Sequence, residues 1–335
     1  MNKKIFKLLT GMLLSCALAG STVAVQAEEA GTDTVKSYLT GEDVSVGIGH
    51  RRPIAVMLGK DTNGAPQSGT ENAGVIYEAP VEGSITRLMA IIEDYDNIPR
   101  IGSVRSCRDY FLFYANEYDA IYSHYGQAVY ALQYLDQHLI DNLNGLTLGN
   151  AYYRSTDRVA PHNAYTSWNG IMDSVAKKGY DTVYPQNFVK PFSFNEEDDK
   201  QIQIAGGETC NTFYPGYPYN KPWFEYDEST GEYLRFQFDD AQIDAETGEQ
   251  LSYKNILVKY VEPDYYENGT PNYKVDGTGA GLFITNGKAV QVTWKKDSET
   301  SGPTKYYYED GTEIVLNQGK TYICQVETTQ NVTVE

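Results

Sequence analysis

The sequence predicts an α+β protein in which an N-terminal mixed α/β domain precedes a smaller antiparallel β-rich domain. Three observations carry that expectation. Strand and helix patterns interleave up to about residue 190. Prolines and glycines crowd residues 191–222, and from Trp223 onward short strands alternate with turns and helical periodicity is lost. The resulting divisions are a leader over 1–27, a polar tether over 28–46, the mixed domain over 47–190, a linker or long loop over 191–222, and the β-rich domain over 223–328.

The leader comes first. Lys3, Lys4 and Lys7 precede a short apolar run from Leu8 to Leu18, and Val25-Gln26-Ala27 fits the small-x-small pattern of signal-peptide cleavage. The run is too short and too interrupted to span a bilayer. Leu13-Leu14-Ser15-Cys16 is a poor lipid-attachment box, because Leu14 is bulky where a small residue is wanted. Cleavage after Ala27 is therefore expected, and membrane association only if Cys16 is lipidated. An extracytoplasmic protein follows, secreted or held at the envelope.

Residues 28–46 are polar and aperiodic, which suggests a tether. Residues 53–58, 73–81 and 86–93 read as apolar strands, and 120–123 as a shorter one. Residues 108–118 and 128–135 read as helices. A further helix is marked by Trp168, Ile171, Met172 and Val175 at i, i+3, i+4 and i+7, with Gly179 at its C-terminal stop. Beyond the linker, strands are expected over 233–238, 255–260, 281–285, 289–294, 306–308 and 320–326. Asn286-Gly287 and Asp310-Gly311 supply hairpin turns, since both central residues take positive φ there.

Cleavage after Ala27 removes three lysines and no acid, so the formal charge moves from -18 to -21. Such a chain repels nucleic acid and anionic lipid on average, and any basic cluster in it stands out. Hydrophobic residues at 41% suffice for real cores, and 29 tyrosines favour strands. No cofactor motif or metal-ligand spacing is present. Cys107, Cys210 and Cys324 fit either free thiols or a Cys210–Cys324 bridge with one cysteine left over.

The residues that could carry chemistry lie in two stretches, 77–87 and 100–109, followed by His124. Ser106-x-x-Asp109 reads as a capping box that starts a helix at Cys107. Arg105 and Arg108 would then flank a helix N-terminus, where unpaired N–H groups and the helix dipole already attract anions. With Arg87 they suggest a clamp for an anionic or polyhydroxylated ligand, lined by Glu82, His124 and His162. The alternative is structural: the three arginines pair with Glu78, Glu82 and Asp109 in a buried ion network. Catalytic readings are weaker. Glu78 and Glu82 are a carboxylate pair suited to glycoside hydrolysis, His124 a general base, and Cys107–His124 a nucleophile pair.

The run Arg52-Pro53-Ile54-Ala55-Val56-Met57, then Pro66-Gln67-Ser68-Gly69, Glu82-Gly83-x-x-Thr86-Arg87, Gly102-Ser103-Val104-Arg105-Ser106-x-Arg108, His124-x-Gly126 and Pro161-His162-Asn163, resembles the YerB-like bacterial proteins. So do Gly277-Thr278-Gly279, Thr293-Trp294 and Asn317-x-Gly319-Lys320-Thr321. The resemblance implies a two-part cell-envelope protein, of a family counted as candidate lipoproteins, with no activity assigned. One departure is local: Gly59-Lys60-Asp61 replaces the asparagine expected near the end of the first strand. The functions in contention are a cell-wall ligand-binding protein, a cell-wall hydrolase using Glu78, Glu82 or His124, and an envelope scaffold that docks a protein partner.

Overall fold

The computed structural model describes residues 33–197 and 201–335, so the leader, Cys16 and the start of the tether lie outside the described residues. Strand dominates over helix. Three expected strands form as Ile54–Gly59, Val75–Pro80 and Thr86–Ile92. All are buried along their whole length, because successive side chains enter two different cores. Ala55, Met57, Tyr77, Met89 and Ile91 pack on one face, and Ile54, Val56, Leu58, Ile76, Leu88 and Ala90 on the other. Burial on both faces is why these segments read as unbroken apolar runs.

These strands belong to an eleven-stranded sheet that also takes in the C-terminal strands. Its order runs Glu208–Thr209, Lys288–Lys296, Gly277–Thr285, Asn255–Val261, Thr321–Glu327, Val75–Pro80, Thr86–Ile92, Ile54–Gly59, Ile121–His124 and Asn142–Asn144, with Lys305–Tyr307 paired to Lys288–Lys296. The Asn286-Gly287 hairpin forms as expected, with φ of 48° and 70°. The C-terminal half is not purely antiparallel, however. Strand Thr321–Glu327 runs parallel to both its neighbours, Asn255–Val261 and Val75–Pro80. Its residues from Thr321 to Val326 are buried, and only a central position covers both faces of such a strand. The sheet thus passes without a break across the boundary expected between the two domains.

A six-stranded sheet, including Thr212–Tyr214, Trp223–Asp227 and Glu232–Gln237, packs against the second core. Helices are few: Asp109–Asn116, Leu132–Asp136 and Trp168–Lys178 are the main ones. The last is capped by Ser167, whose hydroxyl accepts from the Gly170 N–H at 3.3 Å, and ends at Gly179 with φ 71°.

Two segments depart from the sequence reading. The described part of the tether folds as a hairpin, Thr34–Lys36 against Asp43–Ser45, and Leu39 in its turn is fully buried. Leu39, the Tyr38 ring 5.4 Å from that of Tyr184, and the bond from Ser37 to Glu93 dock a mostly polar stretch. The expected loop over 191–222 is likewise packed: Phe192, Cys210, Tyr217 and Asn220 are buried. The Tyr217 hydroxyl donates to the Glu78 and Gln325 carbonyls, so the prolines and glycines there shape a packed crossing.

Candidate functional site

Segment 102–108 is extended, although a capped helix was expected to start at Cys107. The Val104 N–H donates to Ala164 O at 2.7 Å, Arg105 N–H to Met57 O at 2.9 Å, and Cys107 N–H to Gly126 O at 2.9 Å. These bonds hold the backbone extended as far as Cys107, so the helix begins only at Asp109, with Arg108 as its N-cap residue. The capping box is therefore not formed, and the Ser106 hydroxyl donates to Tyr125 O instead.

The three arginines nonetheless converge. Arg87 stands on strand Thr86–Ile92 opposite Gly59 and donates to Ser106 O at 2.6 Å. Burial, with the nearby charges of Arg108 and Arg105, pulls its pKa down to about 9. Arg105 donates to Pro161 O at 2.7 Å, and its pKa is lowered by burial and by Arg108 and Arg154, against the pull of Asp61. Arg108 differs: burial opposes its charge, but the Glu82 carboxylate grips Nε at 2.8 Å and Nη2 at 2.5 Å and raises its pKa.

His162 arrives on the following loop, with Nδ1 2.9 Å from Asp61 Oδ1. Asn63, Asp157, Arg158, Ala160 and His162 line a cavity of about 410 Å³. Arg154 lies over the Tyr125 ring at 4.7 Å, and Arg158 donates to Pro66 O at 2.8 Å. Among the described residues, Arg87, Arg105, Arg154 and Arg158 form no ion pair. Glu82 also borders a second cavity, of about 470 Å³, with Tyr265, Tyr273 and Glu327. Both tyrosine hydroxyls donate to Glu327 Oε1, at 3.0 and 2.5 Å.

Other expected site residues lie elsewhere or in other states. His124 is fully buried, with Nδ1 2.8 Å from Gly126 O and Nε2 3.3 Å from Asn142 Oδ1. Burial lowers its pKa, and it lines neither cavity. Cys107 is buried and its thiol is pushed up to about 12, the reverse of an activated nucleophile, because desolvation outweighs the neighbouring arginines. Cys107, Cys210 and Cys324 are all free and buried, so no Cys210–Cys324 bridge forms.

Glu78 is fully buried and surrounded. Lys60 Nζ stands 2.6 Å and Arg235 Nη2 2.7 Å from Oε2, and the Tyr322 hydroxyl donates to the same oxygen at 2.5 Å. Thr86 and Asn220 donate to Oε1, at 2.6 and 3.0 Å. Desolvation works to raise its pKa, but Lys60 and Arg235 outweigh it and hold the carboxyl at about 2. A carboxylate so held rests ionised, and its full burial keeps a polymer from reaching it. The expected ion network thus exists in part: Glu82 pairs with Arg108, whereas Glu78 pairs with Lys60 and Arg235. Arg235 was missed by sequence reasoning. The signal was period-two alternation, which sets Tyr233, Arg235 and Gln237 on the buried face of one strand.

A strand-rich chain with an arginine cluster at the end of its central strands matches a family of proteins of unknown function, DUF3048. Its N-terminal domain corresponds to residues 39–181 and its C-terminal domain to residues 213–323. The chain belongs to this family. Among its relatives, the candidate lipoprotein YerB of Bacillus subtilis (strain 168) is 30% identical over 315 residues, covering 90% of each protein. The crystal structure of YerB from Bacillus subtilis superposes with a TM-score of 0.77 at 28% identity, over 87% of this chain and 96% of that one. The motif order noted above thus belongs to a true relative.

Proposed function

We propose that this is a cell-envelope protein that binds an anionic ligand through Arg87, Arg105 and Arg108, with Arg154, Arg158 and His162 at the rim. One observation carries the reading: in a chain of formal net charge -18, arginines gather with too few acids among them, and four form no ion pair among the described residues. Crowded guanidiniums raise one another's free energy, and an anion relieves that repulsion with charge-assisted hydrogen bonds. Glu82 joins the cluster to the tyrosine-lined cavity, which favours a ligand with hydroxyl groups beside its anionic group, such as a cell-wall fragment. Envelope placement accords with the leader and with YerB, which is named a candidate lipoprotein. No helix among the described residues is long and apolar enough to cross a membrane. The hydrolase reading is disfavoured, because Glu78 is sealed by two cations and His124 is enclosed.

The test is a thermal-shift titration with phosphate, muropeptides and teichoic-acid fragments. Binding should raise the melting temperature with concentration, equivalent to about 2.7 kcal/mol at a hundredfold excess over Kd. Arg105→Ala should abolish the shift while melting as a folded protein. An unchanged melting temperature with all three probes, or an equal shift in the variant, removes the proposal.

A further inference from the structure

Glu78 does more than balance charge: its two oxygens bridge an amine and an amide. Lys60 Nζ lies 2.6 Å from Oε2, and Asn220 Nδ2 donates to Oε1 at 3.0 Å. Lys60, Glu78 and Asn220 are all buried, at 1%, 0% and 0% exposure. The other amide atom, Asn220 Oδ1, has no hydrogen-bond partner, and neither has Arg235 Nε in the same cluster. A buried amide oxygen without a partner calls for an explanation.

We infer that Lys60 and Asn220 join in an intramolecular isopeptide bond, with Glu78 as the proton carrier. The nucleophile must be the neutral amine, and the cluster favours that state. It holds two cations and one carboxylate, and Arg235 stays charged under all conditions. The member that gives up its proton most readily is therefore Lys60, whose pKa burial and Arg235 pull down to about 7, so that part of it is the free amine near neutral pH. The Lys60 Nζ lone pair attacks Asn220 Cγ, the Nζ–Cγ bond forms and the Cγ–Nδ2 bond breaks. Glu78 takes one proton from Nζ and delivers it to Nδ2, which leaves as ammonia, and the carboxylate is regenerated. The exchange of one amide for another needs no oxidant or co-reactant. Exclusion of water protects the intermediate, and the Thr86 hydroxyl on Oε1 helps hold the carboxylate in place.

The bond would join the residue after strand Ile54–Gly59 to the buried Asn220 of the crossing segment. Its structural value is clear. The three described cysteines are unpaired, and a bond from residue 60 to residue 220 would close a long loop and tie the first central strand to the crossing segment.

Mass spectrometry of a tryptic digest of the full, denatured wild-type chain decides the matter, and no variant has to fold for it. The Lys60 and Asn220 peptides should appear mainly as one branched species, lighter by one ammonia than their sum, with no cleavage after Lys60. Lys60→Arg and Asn220→Ala should each abolish that species. Linear peptides alone, carrying a free Lys60 amine and an intact Asn220 amide, overturn the inference.

Discussion

Removing the Glu78 carboxylate would leave the Arg235 guanidinium charged, fully buried and without an acid, since Glu78 is its only ion-pair partner among the described residues. Breaking a buried pair in this way costs about 3–5 kcal/mol. Glu78→Ala should therefore lower the urea midpoint sharply, and a loss within about 0.5 kcal/mol, as for an ordinary surface change, would show the network to be dispensable. Glu82 behaves oppositely, because it is half-exposed and neutralises Arg108 at the edge of the arginine cluster. Glu82→Gln should tighten phosphate binding about tenfold, equivalent to about 1.4 kcal/mol, read by titration at low salt. Weaker binding would mean that Glu82 positions Arg108 more than it competes with the ligand. The arginines themselves stood out in the sequence because they cluster against an acidic background. The partners of Glu78 did not, because Lys60, Asn220 and Arg235 come from distant segments.

At the scale of elements, the hairpin Thr34–Lys36 and Asp43–Ser45 is held by the bond from Ser37 to Glu93 and by Leu39. Burial, opposed by the Ser37 bond and Arg51, pushes the Glu93 carboxyl up to about 7 from its ordinary 4.5, and its Oε2 has no partner. Between those values the folded state binds more protons than the unfolded state, so stability falls as pH rises from 4.5 through 7. The loss attributable to this one group is about 3 kcal/mol at most. Glu93→Gln keeps the size and removes the titration. Its advantage over the wild type should grow across that pH window in paired urea melts, and a constant difference would contradict the assignment. Helix Trp168–Lys178 gives a simpler case. Ser167→Ala should cost about 1 kcal/mol, the usual value of a side-chain cap. This helix was legible because its apolar spacing and Gly179 stop are local. The helix expected at Cys107 was misplaced because a capping box is also local, and pairing with distant segments holds the backbone extended as far as Cys107.

For the whole molecule, strand Thr321–Glu327 is decisive, lying between Asn255–Val261 and Val75–Pro80 and joining strands from the two ends of the chain. A chain truncated before Thr321 would expose two central strand edges. It should accumulate as insoluble protein or show no cooperative transition by circular dichroism. The intact chain should unfold in one transition, with tryptophan fluorescence and far-ultraviolet signals coincident. Two resolved transitions would mean that the family's two regions fold apart. The sequence by itself determined where nearly all the long strands lie, the hairpin at Asn286-Gly287, the helix ending at Gly179 and the family. Each of these is set by side-chain period, turn chemistry or motif order within a short window. Only the tertiary structure decided that one sheet runs through both halves, that the tether and loop are packed, and that Glu78 belongs with Lys60, Asn220 and Arg235 while Arg87 joins Arg105 and Arg108. The physical reason is that partners for buried charges and strand edges are chosen by burial across the whole chain, and that choice leaves no periodicity in any one segment.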